Sequence, residues 1–107
     1  MYSMNKGFQD DIAEVGRIVL EGLRRYPVRV YLFGSSARGE VRKGSDIDVA
    51  VLPLNPLPDG TLSAIRETLE ESRVLCQVDL VDLSTSDPAF SNRVFKEGVM
   101  WTESRSA

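Results

Sequence analysis

The apolar pattern of this chain predicts an α/β (α+β) domain of two layers, with helices packed on a small mixed sheet. Three observations lead there. Stripes of helical spacing alternate with short β-branched and aromatic runs, in the order helix, strand, short helix, strand, helix, strand, helix. Too few residues join the first two strands for an ordinary crossover helix, which favours an antiparallel pair at that point. No repeat or low-complexity segment breaks the series.

In residues 5–26, Phe8, Ile12, Val15, Val19, Leu23 and Tyr26 recur every three or four positions, the stripe of an amphipathic helix that Pro27 stops. Residues 28–33 are rich in β-branched and aromatic side chains and end at Gly34, so they read as a strand. Residues 35–39 open a short helix or turn, and residues 47–52 form a second strand. Residues 53–60 hold three prolines with Asn55, Asp59 and Gly60, the composition of a loop. Residues 61–75 read as a helix with Leu62, Ile65 and Leu69 inward, and residues 77–83 as a third strand. Asp87 before Pro88 has the form of an N-cap with proline at the first helical position; Phe90, Val94 and Phe95 supply the inner face of that helix up to Gly98. Residues 99–101 suit a short edge strand.

At 107 residues and 42% apolar composition the chain has the size of one domain, 1–107. A domain this small buries a modest share of its surface, so size favours a homo- or hetero-oligomeric partner. The net charge of −3, with Arg and Lys dispersed, argues against a large nucleic-acid footprint. A single cysteine, Cys76, allows no internal disulfide. Without an apolar stretch of membrane-spanning or secretory length, no membrane association is expected and the location expected is cytoplasmic. Histidine is absent, which removes the commonest general base and zinc ligand. Carboxylates, hydroxyls, Arg and Lys must carry any chemistry.

The informative stretch is Gly34-Ser35-Ser36-Ala37-Arg38-Gly39, followed after five residues by Ser45-Asp46-Ile47-Asp48-Val49-Ala50-Val51. Alternation along a strand sets Asp46 and Asp48 on one face and turns Ile47 and Val49 to the core. Two like charges so close need an offset, which divalent cations supply; oxygen-only donors suit Mg²⁺ or Mn²⁺ rather than zinc. Gly34 lets a backbone approach an anion closely, and a helix opening after a strand aims N–H groups at it. A phosphate cradle beside a carboxylate pair makes the two halves of a phosphoryl or nucleotidyl transfer site. A third acid belongs on the third strand. Asp79 is the first candidate and Asp82 the second, and their three-residue separation puts them on opposite faces, so at most one joins the site. Singly, a Gly-Ser after a strand is most often a turn and an Asp-x-Asp a solvated edge. Their joint order is the signal.

These residues, with the strand Val78-Asp79-Leu80-Val81 and the terminal helix, resemble the minimal nucleotidyltransferases of the DNA polymerase β superfamily. The resemblance covers nearly the whole chain and implies that fold, with Asp46, Asp48 and Asp79 as catalytic metal ligands for two Mg²⁺ ions (Mn²⁺ as substitute) and ATP as the NTP substrate. It implies that Gly34 and Ser35 hold the triphosphate, and it extends nucleotide binding to Arg38 and Ser45. Asp79 then outranks Asp82. Such proteins are commonly encoded beside a HEPN-domain ribonuclease toxin and act as its antitoxin by adenylylating a tyrosine.

Two alternatives stand beside that reading. One is a nucleotidyltransferase with a small-molecule acceptor, against which the short chain counts. The other is a binding module that neutralises a toxin by occlusion, against which the retained acids count. Cys76 reads as a small core residue, Met100 and Trp101 as core or interface, and Arg42 and Lys43 as a solvated loop that could steer a triphosphate.

Overall fold

The structure, a computed structural model, describes residues 4–34 and 46–102. The short helix or turn expected over 35–39 lies outside them. Helix α1 (Met4–Leu23) leads into strand β1 (Val28–Phe33), then β2 (Ile47–Pro53), α2 (Thr61–Glu70), β3 (Val78–Asp82), a 3-10 turn (Leu83–Thr85), α3 (Pro88–Glu97) and β4 (Val99–Met100). The four strands form one mixed sheet in the order β3-β2-β1-β4. As expected, β1 and β2 are antiparallel, with Val30 opposite Val51; β1 and β4 are antiparallel too. β2 and β3 run parallel, joined by α2 as crossover.

Alternation along the strands divides the interior. Val30, Leu32, Ile47, Val49, Val51 and Leu80 point to one face and pack with Val15, Ile18, Val19 and Leu23 of α1 and Ile65 and Leu69 of α2. Tyr31, Ala50 and Val81 point to the other face, where they meet Leu83 and the α3 residues Phe90 and Val94. Trp101 adds to the first core: its ring lies 3.7 Å from the point a Cβ on Gly16 would occupy, and its backbone N–H donates to the Val30 carbonyl at 2.7 Å. That places the end of the described chain across α1 and β1, the core role of the two, core or interface, that the sequence leaves open for this residue.

Several element ends differ from the sequence expectation, most clearly at α1, α2 and β3. α1 ends at Leu23 rather than Tyr26, because a residue before proline disfavours helical backbone and the chain turns early, Tyr26 N donating to the Leu23 carbonyl at 3.0 Å. α2 stops at Glu70 rather than 75. There Ser72 competes for the helix end: its Oγ donates to the Leu69 carbonyl at 2.6 Å and accepts from Val74 N at 3.2 Å. β3 gives way at Leu83 to the 3-10 turn. On α3, Asp87 caps Ala89 N at 3.1 Å and Val94 is buried, as read. Phe95, read as inward, is 42% exposed and rests obliquely on Tyr31, with ring centroids 5.5 Å apart. Its neighbour Val94 takes the core position, and Ser91, one turn before Phe95, is buried.

Candidate active site

The parallel register of β2 and β3 places Asp48 opposite Asp79. Side chains of such neighbours share a face, and the next pair along, Ala50 and Val81, belongs to the α3 side of the sheet. Asp46 stands one residue before β2, exposed; Asp79 is exposed and Asp48 half-buried. Burial, then the charges of Asp79 and Asp46, hold the Asp48 carboxyl above its ordinary 3.8. Asp46 and Asp79 therefore both act electrostatically on Asp48.

On its other side β2 brings Asp48 against β1, with Phe33 as register partner. Gly34 follows with φ +75, backbone that only glycine adopts readily, and a Cβ at that position would lie 2.5 Å from Asp48 Oδ2. The end of β1 thus touches the carboxylate with bare backbone. Gly34, Asp46, Asp48 and Asp79 come together in this way. Ser35, Arg38 and Ser45 lie outside the described residues. Asp82 is elsewhere: its Oδ1 accepts from Ser84 N at 2.9 Å and Ser84 Oγ at 2.6 Å, an N-cap on the 3-10 turn. A hollow of about 560 Å³ at the far end of β2, lined by the proline loop, Arg66 and Asp82, takes in none of the three acids of the group.

The donor set, carboxylate oxygen throughout, fits a hard cation such as Mg²⁺. Among the described residues no group of three or more acidic or cysteine side chains is already gathered as a metal cluster.

Residues 19–106 match the family described as Polymerase beta, Nucleotidyltransferase. The chain belongs to this nucleotidyltransferase family. A Haemophilus influenzae protein named "Probable protein adenylyltransferase MntA" is 32% identical over 74 residues, 69% of this chain; the match spans 65% of that relative's length. A solved structure of a minimal nucleotidyltransferase superposes with a TM-score of 0.70 at 26% identity, over 92% of this chain and 96% of the other. A Shewanella oneidensis MNT antitoxin, solved in complex with a tri-AMPylated HEPN toxin, superposes with a TM-score of 0.58 at 26% identity, over 83% of this chain and 70% of that one. The observed sheet with its packed helices is the nucleotidyltransferase fold that the sequence led us to expect.

Two neighbours of the acids escaped the sequence reading. The Gln77 carbonyl accepts from Ile47 N at 2.9 Å, and Asp11 on α1 bonds the segment just before Gln77. Neither has a local pattern, since the Asp11 partners lie 64 and 65 residues away. Cys76 is half-buried against the main core. Burial first, then its hydrogen bond to Asp11, push its thiol from 9.0 up to about 11. At pH 8 a shift of that size leaves about 100-fold fewer thiolates, and the greater nucleophilicity of a more basic thiolate recovers about tenfold. Native Cys76 is therefore expected to react with iodoacetamide at least about tenfold more slowly at pH 8 than in urea-unfolded protein, as followed by intact mass. Equal rates would show a thiol outside this environment.

Proposed function

We propose that the chain is a Mg²⁺-dependent nucleotidyltransferase that moves AMP from ATP onto a hydroxyl of a partner protein, a HEPN-domain toxin for which it is the antitoxin. The observation that carries this is the cross-strand pair Asp48 and Asp79, flanked by Asp46 and touched by the bare backbone of Gly34. Nucleoside triphosphate and a divalent cation are what the family generally uses. The acceptor rests on the named adenylyltransferase relative and on the AMP-bearing HEPN toxin found with the similar antitoxin.

In this reading Asp46, Asp48 and Asp79 hold the cations, and Gly34 with Ser35, Arg38 and Ser45 receives the triphosphate. A bound cation would polarise the α-phosphate and neutralise charge on the leaving pyrophosphate. The acceptor oxygen bonds to the α-phosphorus as the α–β anhydride bond breaks and pyrophosphate leaves. Asp79, the exposed member of the pair, takes the hydroxyl proton, a task for which the chain has no histidine.

The test is transfer of label from α-³²P-ATP to a co-encoded HEPN partner. Label is expected on a partner tyrosine, located by mass spectrometry, with Mg²⁺ and not with EDTA. Transfer that persists in EDTA would sink the cation-dependent site. Neutralisation of the toxin with no label transferred would favour occlusion instead.

A further inference from the structure

Asp11 lies on α1, remote in sequence from the acids, yet its Oδ2 accepts from two consecutive amides, Leu75 N at 3.1 Å and Cys76 N at 3.3 Å. The next residue, Gln77, gives its carbonyl to Ile47 N at 2.9 Å, and Ile47 is the residue between Asp46 and Asp48. There the parallel register begins, Ile47 with Val78 and Asp48 with Asp79. One carboxylate thus fixes the backbone at the point where β3 enters beside β2. Side-chain packing shares this work, since Val74, Cys76 and Val78 rest partly buried against the main core, but Leu75 is 92% exposed and its backbone is held by the carboxylate. A carboxylate accepting two backbone N–H bonds is a strong, directional anchor.

We infer that Asp11 is a positioning residue, clasping the 75–76 backbone so that Asp79 enters in line with Asp48 and Asp46. The inference rests on the nucleotidyl-transfer reading, in which those three acids share a cation. Asp11 touches neither nucleotide nor cation; it acts through the Gln77 carbonyl and the start of β3.

The test measures ATP binding by the full chain across a Mn²⁺ titration, together with amide hydrogen exchange by NMR. Asp11→Ala is expected to raise the Mn²⁺ concentration for half-saturation about tenfold, the scale of losing a group that orients a metal ligand. Exchange at Leu75, Cys76 and Ile47 should quicken by a similar factor. Asp11→Asn, which keeps an oxygen acceptor, should recover most of both, and Asp10→Ala, the exposed neighbour, should change neither. Circular dichroism confirms the fold; if the Ala variant does not fold, the Asn variant carries the comparison with a smaller loss in the same two readouts. Faster exchange with an unchanged Mn²⁺ requirement makes the clasp structural only and overturns the positioning role. Unchanged exchange overturns the clasp itself. A wild type that binds no Mn²⁺·ATP overturns the nucleotidyl-transfer reading and the positioning role with it, a result distinguished by appearing before any substitution is made.

Discussion

Asp48→Asn is expected to cut AMP transfer by about 100-fold or more, the scale of removing one preorganised electrostatic group from a reacting centre, while making the metal-free protein more heat-stable. Both effects come from one charge. Asp48 is half-buried between Asp79 and the backbone of Gly34, with Asp46 nearby, and its carboxyl is held above 3.8 by burial first and by those two charges next. A carboxyl whose folded value lies above its unfolded value favours folding only when protonated. That contribution is present below the unfolded value and is lost as pH rises through the folded one, so at neutral pH without cation the ionised side chain opposes folding. Asparagine keeps the shape and removes the charge. In EDTA the variant should melt above wild type; with Mg²⁺ and ATP the wild type should gain stability by mass action and the variant should not. The partner complex should survive in both. A variant that melts below wild type in EDTA would show that Asp48 is not strained by its neighbours, and one that transfers AMP normally would remove it from the chemistry.

How far the sequence reached depended on how local each signal was. β1 is rich in β-branched and aromatic residues and closed by Gly34, and residues 28–33 match their observed bounds. Ile65 and Leu69 were legible as the inner stripe of α2, but the helix end was not, since the Ser72 hydroxyl bond to the Leu69 carbonyl there has no periodic signal. The choice between Asp79 and Asp82 could not be made from alternation within one strand. Strand pairing separates the two in space: β3 lies parallel to β2, which sets Asp79 opposite Asp48, while Asp82 closes on Ser84. The clasp by Asp11 joins residues more than sixty positions apart and has no periodicity to betray it. Gly34 was legible as a close-approach glycine, though what approaches it in the structure is the Asp48 carboxylate.

That contact makes Gly34 a sensitive backbone position, and Gly60 supplies the control for it. Both have positive φ, +75 and +86, so any L side chain at either is strained, by roughly 1–2 kcal/mol. They differ in surroundings: a Cβ on Gly60 would meet nothing within 4 Å, whereas one on Gly34 would lie 2.5 Å from Asp48 Oδ2. Gly60→Ala is therefore expected to lower the melting temperature by about 4–8 °C for each kcal/mol of strain in a domain near this size, and to leave Mn²⁺·ATP binding alone. Gly34→Ala must pay the same strain and also displace the carboxylate. Its loss of stability should exceed that of Gly60→Ala, and the excess should vanish in an Asp48→Ala background, where the colliding atoms are gone; a double-mutant cycle measures that coupling directly. Gly34→Val adds a branched side chain where the phosphates are to lie, so affinity for Mn²⁺·ATP should fall beyond about tenfold, more than 1.4 kcal/mol of binding. If a folded Gly34→Val protein binds Mn²⁺·ATP as the wild type does, the phosphates do not approach at the end of β1. If the excess cost persists without the Asp48 side chain, the collision is with something else. Strain alone predicts equal losses at the two glycines, and only a carboxylate held against the strand end predicts that they differ.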